Sequence, residues 1–230
     1  MDLSFEEETV DFVTEPEKSG RQIARQEWRR SSKKKDKILK TAIRLFLANG
    51  YSGTSTNDIC AALKINKPTL YYFFKSKRQL FFACHMKSIE TTLQPHLTRA
   101  TSIKDPEERL RFMISEFTTM ICKNPELRVL IHETMSIKDE YFRIIRAAWK
   151  SHYLLLKETI SELSQKGVIT SGLSSSRATV FLLGMMTWIT FWFDYNRKGD
   201  VDDVRNSALQ FAFQGLGIKT KRGGKGLKVA

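Results

Sequence analysis

Apolar residues recur at helical spacing along most of the chain, and no alternating run of useful length points to a strand. Ile38, Ala42, Leu45 and Phe46 mark one face of a helix that Asn49-Gly50 stops. Ser55, followed three residues later by Asp58, reads as a capping box opening a short helix through Leu63. A turn at Lys64-Ile65-Asn66 leads into a second short helix, with Asn66 as N-cap and Pro68 in its first turn. Ser76 caps a long helix predicted to reach about residue 101. Asp105-Pro106 and Asn124-Pro125 mark two further helix starts. Ile137 to Lys166 reads as one long helix ended by Gly167, and Ser174 to Arg197 as another ended by Gly199. Val201 to Leu216 closes the fold before Gly217. The class that follows is all-α.

The ends differ from the middle. Residues 1–32 read as a flexible extension, acidic over its first twenty residues, with Pro16 and Gly20 as breakers, and basic thereafter. Residues 33–80 hold the short helices, residues 81–217 a larger helical domain, and residues 218–230 a disordered basic tail with five Lys/Arg and three Gly.

Charge sharpens this division. An apolar share of 41% and a charged share of 27% are ordinary for a globular chain of 230 residues. The formal charge of +13 is not, and its location matters most: residues 21–82 carry 15 Lys/Arg against 3 Asp/Glu. A basic block confined to one folded segment suggests a polyanion such as nucleic acid, and a solvated basic surface is the plainer alternative. Cys60, Cys84 and Cys122 lie far apart without CxxC pairing, which fits reduced thiols and a cytoplasmic setting. No secretory signal is read at the acidic N-terminus. The most apolar run, Ala178 to Phe193, falls short of the roughly 20 residues needed to cross a bilayer, so no membrane partner is expected.

The segment Ile38 to Leu80 carries the most specific signal. Two short helices joined by a few residues, braced by a helix before them, make a helix-turn-helix whose second helix can enter a major groove. Here the sequence resembles the TetR family of transcriptional regulators. The matching residues are Ala42, Leu45, Phe46, Gly50-Tyr51, Thr54-Ser55, Asp58-Ile59, Ala62, the run from Lys67 to Lys77 (KPTLYYFFKSK) and Leu80. The family usually has Gly where this chain has Lys64, and Ala where it has Cys60. A positive φ at Lys64 would cost about 1 kcal/mol without breaking the turn.

The resemblance implies a three-helix DNA-binding domain followed by a larger ligand-binding and dimerisation domain. It places Lys67, Pro68, Thr69 and Tyr71 where base edges come within reach. Lys67 can donate to guanine O6/N7, and Pro68 and the Thr69 methyl can meet a thymine methyl. Thr54, Ser55, Tyr72 and Lys77 fall where the family grips phosphates. Arg29, Arg30 and Lys33 to Lys35 suggest a basic arm reaching phosphates or the minor groove, against the plainer reading of a solubilising tail. The partners implied are double-stranded DNA with a palindromic operator, a second copy docking through residues 174–217, and a small-molecule effector.

Met113, Phe117, Met120, Tyr141, Trp149, Tyr153, Met185 and Trp188 are candidates to line the effector pocket, though any one of them can equally be core. The stretch Gly184 to Leu216, with Trp188, Trp192 and Asp194-Tyr195, resembles the terminal helix pair of regulators that answer to acyl-coenzyme A thioesters. Arg143, Arg146, Lys150 or Lys157 on one long helix would then meet phosphates, or form a solvated face. A neutral lipophilic compound is the competing effector.

Other classes fare worse. His85, His96, His132 and His152 are scattered, and His132-Glu133 lacks the second His of a zinc-protease motif. With no P-loop, GxSxG or GxGxxG, neither an enzyme, a cofactor nor a metal site is expected. The alternative function is a non-specific, nucleoid-type helical protein that uses only its basic charge.

Overall fold

The structure is a computed structural model that describes residues 18–134, 140–195 and 200–218, with side chains after residue 30, Thr134 apart. Among the described residues the helices run α1 (Lys18–Asn49), α2 (Thr56–Leu63), α3 (Lys67–Phe73), α4 (Lys77–Ser88), a π-helical turn (Ile89–Leu93), α5 (Gln94–Ser102), α6 (Pro106–Lys123), α7 (Glu126–Thr134), α8 (Glu140–Gln165), α9 (Ser175–Trp192) and α10 (Asp200–Gly215). No strand occurs among them.

Local chemistry explains most of the boundaries. Ser55 accepts from the Asp58 amide at 3.2 Å while Asp58 accepts from the Ser55 amide at 2.7 Å, so two orphan donors at the start of α2 are satisfied reciprocally. The Ser55 hydroxyl, which donates to the Asp58 carboxylate at 2.7 Å, and then the Ser55 amide hold that carboxyl below its ordinary range. Asn66, Ser76 and Ser174 cap α3, α4 and α9, and Asp105 accepts from the amides of Glu107 and Glu108 at the start of α6.

Lys64 ends α2 in the left-handed region, at φ 53° and ψ 46°, and its amide donates to Ala61 O at 3.1 Å. Left-handed backbone costs a residue with a Cβ about 1–2 kcal/mol, and glycine's own entropic cost is about 0.5–1 kcal/mol. Lys64→Gly is therefore expected to raise stability by up to about 1 kcal/mol. A denaturant midpoint that stays level or falls would contradict this.

Four boundaries differ from the sequence reading. First, α1 begins at Lys18, not Ile38, so part of the extension taken as flexible is helical. After Gly20 it contains no glycine or proline, and Arg, Lys, Gln, Glu and Ala are good helix formers. Second, the long helix from Ser76 is broken by the π turn. Pro95 has no N–H for the carbonyl four residues back, and the Gln94 amide instead reaches Ile89 O, five residues back. The hydroxyls of Thr91 and Thr92 donate to the carbonyls of Lys87, at 2.8 Å, and Ser88.

Third, α9 ends at Trp192 rather than Arg197. Phe193 turns extended (φ −68°, ψ 127°) to bury its ring, edge-on to Tyr195 at 5.1 Å. Fourth, Ile218 is not tail: it is buried and its amide donates to Phe213 O at 2.9 Å. The expected helix start at Ile137, the Arg197 to Gly199 stop and residues 219–230 lie outside the described residues.

The core is continuous. Ile38, Ala42 and Phe46 of α1 pack with Ile59, Leu70, Leu80 and Phe81, binding the first three helices to α4. Cys60 is buried as a small apolar residue would be. In the larger domain α6 is the central helix, packed on α8, α9 and α10. Its Arg109 is buried and donates to Thr159 Oγ1 (2.8 Å), Ile103 O (3.2 Å) and Glu162.

Candidate functional site

The start of α3 stands out into solvent. Lys67 and Pro68 are exposed, Thr69 is partly so, and Leu70 turns inward at 1% exposure to anchor the helix. One turn on, Tyr72 is 74% exposed and Tyr71 39%. Tyrosine joins an apolar ring to a polar hydroxyl, a combination enriched at recognition surfaces. The Tyr71 hydroxyl lies 3.4 Å from Thr56 Oγ1, which steadies it beside α2. The Thr69 hydroxyl and amide both donate to Asn66 Oδ1, at 2.6 and 3.0 Å, so the Thr69 methyl is its outward-available part.

Three residues expected at phosphates are placed differently. Thr54 is fully buried, and its hydroxyl lies 2.9 Å from Gly50 O and 3.1 Å from Leu45 O, so it closes the end of α1 and does not reach outward. Lys77 donates to Tyr51 O (2.9 Å) and Thr54 O (3.0 Å) with its ammonium 4.3 Å over the Tyr51 ring. Two of its three N–H bonds thus tie α4 to the loop before α2, leaving one for a phosphate. Ser55 spends its hydroxyl on Asp58, at 2.7 Å, and can offer a phosphate only the helix N-terminus it caps. Of the arm, Lys33, Lys34 and Lys35 are exposed on α1, while the side chains of Arg29 and Arg30 lie outside the described residues.

The eight pocket candidates scatter. Met113 and Phe117 are fully buried core. Tyr141 stacks on Phe82 of α4 at 4.4 Å, near the junction with the helix-turn-helix unit α1–α3 (the reading head), and Tyr153 is half-buried on α8. Met185 and Trp188 line a groove of about 780 Å3 between α9 and α10. Trp188, Trp192 and Phe211 of its lining, and Val180, Phe181 and Phe191 elsewhere on α9, are each more than half exposed. Met120 and Trp149 share an interior void of about 10 Å3 between the π turn, α6, α7 and α8. Of the four basic candidates on α8, Arg143, Arg146 and Lys150 are exposed and Lys157 is partly buried.

Sequence reasoning passed over the buried histidines. His152 is fully buried, and His96, 7% exposed, meets it edge-on at 5.3 Å. No ring nitrogen of either has a hydrogen-bond partner among the described residues, and the hydroxyls of Thr118 and Thr119 are likewise buried without one. Each such group costs roughly 1–3 kcal/mol when left unpaired. His85, also buried, accepts from Trp149 Nε1 at 3.4 Å. Burial pushes all three imidazoles down: His85 and His96 to about 4, with Arg99 adding to the effect at His96, and His152 to about 3, with His96 adding. Nothing in the sequence signals this, because the pairing joins residues 56 positions apart.

Comparison with known proteins gives a consistent picture. The family description "Bacterial regulatory proteins, tetR family" matches residues 38–84, and "Tetracyclin repressor-like, C-terminal domain" matches residues 104–216. The probable acrEF/envCD operon repressor of Escherichia coli (strain K12) is 27% identical over 165 residues, 68% of this chain and 74% of its own. The biofilm operon icaADBC negative regulator IcaR of Staphylococcus aureus (strain Newman) is 47% identical over 47 residues, 20% of this chain and 25% of its own. Among solved structures, AibR in complex with isovaleryl coenzyme A and operator DNA has a TM-score of 0.73 at 27% identity, covering 80% of this chain and 99% of that one. No described helix is long and apolar enough to cross a membrane.

Proposed function

The chain belongs to the TetR family of bacterial regulatory proteins, a family of helix-turn-helix transcriptional regulators, and on that premise we propose that it is a repressor binding a palindromic operator as a homodimer. A small effector, apolar or acyl-coenzyme A-like, releases it. The observation that carries the reading is the exposed start of α3, where Lys67, Pro68 and Tyr71 project from a helix fixed by buried Leu70. Repression is supported by the two relatives named as negative regulators of operons.

The homodimer rests on the face of α9 and α10, where six large apolar side chains lie more than half exposed. A two-fold axis there would bury them against their own copies and set two α3 helices toward successive major grooves. The effector reading draws on AibR, crystallised with isovaleryl coenzyme A and operator DNA. An effector shifts DNA affinity only by its differential affinity for the DNA-competent arrangement. The continuous path from α4 through the π turn into α5 joins the reading head to the effector-binding domain.

Sequencing the genomic fragments that the purified protein retains at physiological salt tests this. A few sites sharing one palindrome are expected. Retention without a shared motif would favour the non-specific basic binder, whose charge block this chain also carries. With a site in hand, Lys67→Ala is expected to weaken binding by about 1–3 kcal/mol and to relax preference at one guanine. Equal weakening on every sequence would move Lys67 from base to phosphate. Deleting residues 1–32 is expected to lower affinity and flatten its dependence on salt, because each lost phosphate contact removes a released counterion.

A further inference from the structure

Among the described residues left-handed backbone occurs at Gly50, Gly167, Gly172 and Gly217, and at Lys64 in the turn between α2 and α3. Everywhere else the conformation falls to glycine; at this turn it falls to a lysine. The turn accounts for the conformation and not for the side chain. The Lys64 amide donates to Ala61 O at 3.1 Å and the Ile65 amide to Cys60 O at 3.0 Å, the paired bonds that close a helix C-terminus through a left-handed residue. Glycine would make both bonds without the clash that a Cβ brings. Lys64 is exposed, and among the described residues no hydrogen bond or ion pair holds its ammonium. From residue 59 to residue 89 the chain carries no Asp or Glu to neutralise it.

We infer that Lys64 is a phosphate-binding residue, whose ammonium grips the DNA backbone where the chain crosses the wall of the major groove. The inference rests on the reading of α2 and α3 as an operator-binding helix-turn-helix and adds a contact to it. In that arrangement the first helix lies across the backbone and the second enters the groove by its N-terminus. The residues joining them therefore pass over the phosphates at the groove's edge. Lys64 stands there, just before the N-cap Asn66 and the base-facing start of α3. Strained backbone persists where something offsets it, and it clusters at functional positions. Attraction of the ammonium to the C-terminus of α2 is the other candidate, but at an exposed helix end it is screened by salt and smaller than the cost of a left-handed Cβ. A phosphate gives the charge a partner and adds counterion release to binding. Such a contact carries no sequence information; it fixes the seating of α3 and leaves base preference to the residues that follow.

The test is fluorescence anisotropy of the full-length protein and its variants on an operator duplex, repeated over a series of salt concentrations. Each phosphate contact adds about 0.9 to the slope of log affinity against log salt, so the two copies of Lys64 in a dimer account for about 1.8 of it. Lys64→Met keeps the Cβ and the stem and removes only the charge. It is expected to flatten the slope by that amount and to weaken binding about tenfold or more at about 0.1 M salt. Lys64→Arg is expected to keep both slope and affinity. Lys64→Gly is expected to be more stable in denaturant and yet to bind as weakly as Lys64→Met, a divergence that a purely structural role would not produce. Base preference is expected to stay the same in all three. An unchanged slope in Lys64→Met, or a Lys64→Gly protein that binds as tightly as the unmodified one, overturns the contact. Weakening in Lys64→Gly alone also overturns it, because the backbone and not the charge would then be responsible. The regulator reading fails separately, in the unmodified protein. If that protein shows no preferred palindrome, the same slope comparison on an arbitrary duplex still decides Lys64; if it binds no duplex, both readings fall.

Discussion

Trp188→Asp combined with Phe211→Asp is expected to leave the protein monomeric and to lower operator affinity by about a hundredfold or more. Both side chains are largely exposed on the single chain, so the change should cost the subunit little. In a dimer they would be central aromatic anchors of the kind whose loss costs about 2–4 kcal/mol each, and a carboxylate placed there adds desolvation. A monomer must bind each half-site independently, forfeiting the roughly 10²–10⁴-fold gain of linked binding. Sedimentation equilibrium reads the assembly state, fluorescence anisotropy on an operator duplex reads the affinity, and far-ultraviolet circular dichroism shows whether the helices persist. A double variant that still sediments as a dimer would place the subunit contact elsewhere.

Acid should unfold this protein unusually early. In the folded chain burial holds His85 and His96 near 4 and His152 near 3, while in the unfolded chain each returns to about 6.5. Their folded values are depressed, so the neutral folded form is fully favoured above pH 6.5. That advantage is lost as the pH falls from about 6.5 toward 4, where the unfolded state takes up protons that the folded state refuses. Three such groups give a slope of up to about 4 kcal/mol per pH unit. Urea unfolding at pH 7.0, 6.0 and 5.0 is expected to show a steep fall, comparable with the whole stability of many domains. A change below about 1 kcal/mol between pH 7 and 5 would mean that these imidazoles are charged or solvated in the native state.

The reading head was legible because its signals are local. Ser55 with Asp58, Asn66 with Thr69, and Pro68 in a first turn each specify a boundary within four residues, and all are realised as hydrogen bonds or caps. Even the departure at Lys64 could be anticipated, since the turn needs a left-handed residue whatever its side chain. Roles were harder than elements. A hydroxyl at position 54 looks the same on paper whether it faces a phosphate or Gly50 O, and only packing decided for the carbonyl. The pocket candidates scatter for a related reason: aromatic and methionine side chains serve core, surface and cavity alike. Met113 lies in the core, Trp188 on the exposed groove between α9 and α10, and Met120 at the small void. The histidine pair was invisible because its signal is the absence of partners in three dimensions.

The π turn has a mechanical consequence. It holds one residue more than the α-helix on either side needs, and one residue corresponds to about 100° of rotation. The connection between the reading head and the rest of the molecule is thus geared: absorbing or releasing that residue would swivel α4 about its own axis with little change in length. Thr92, inside the turn, also lines the small void beside Trp149, so a change of packing at that void would act on the gear itself.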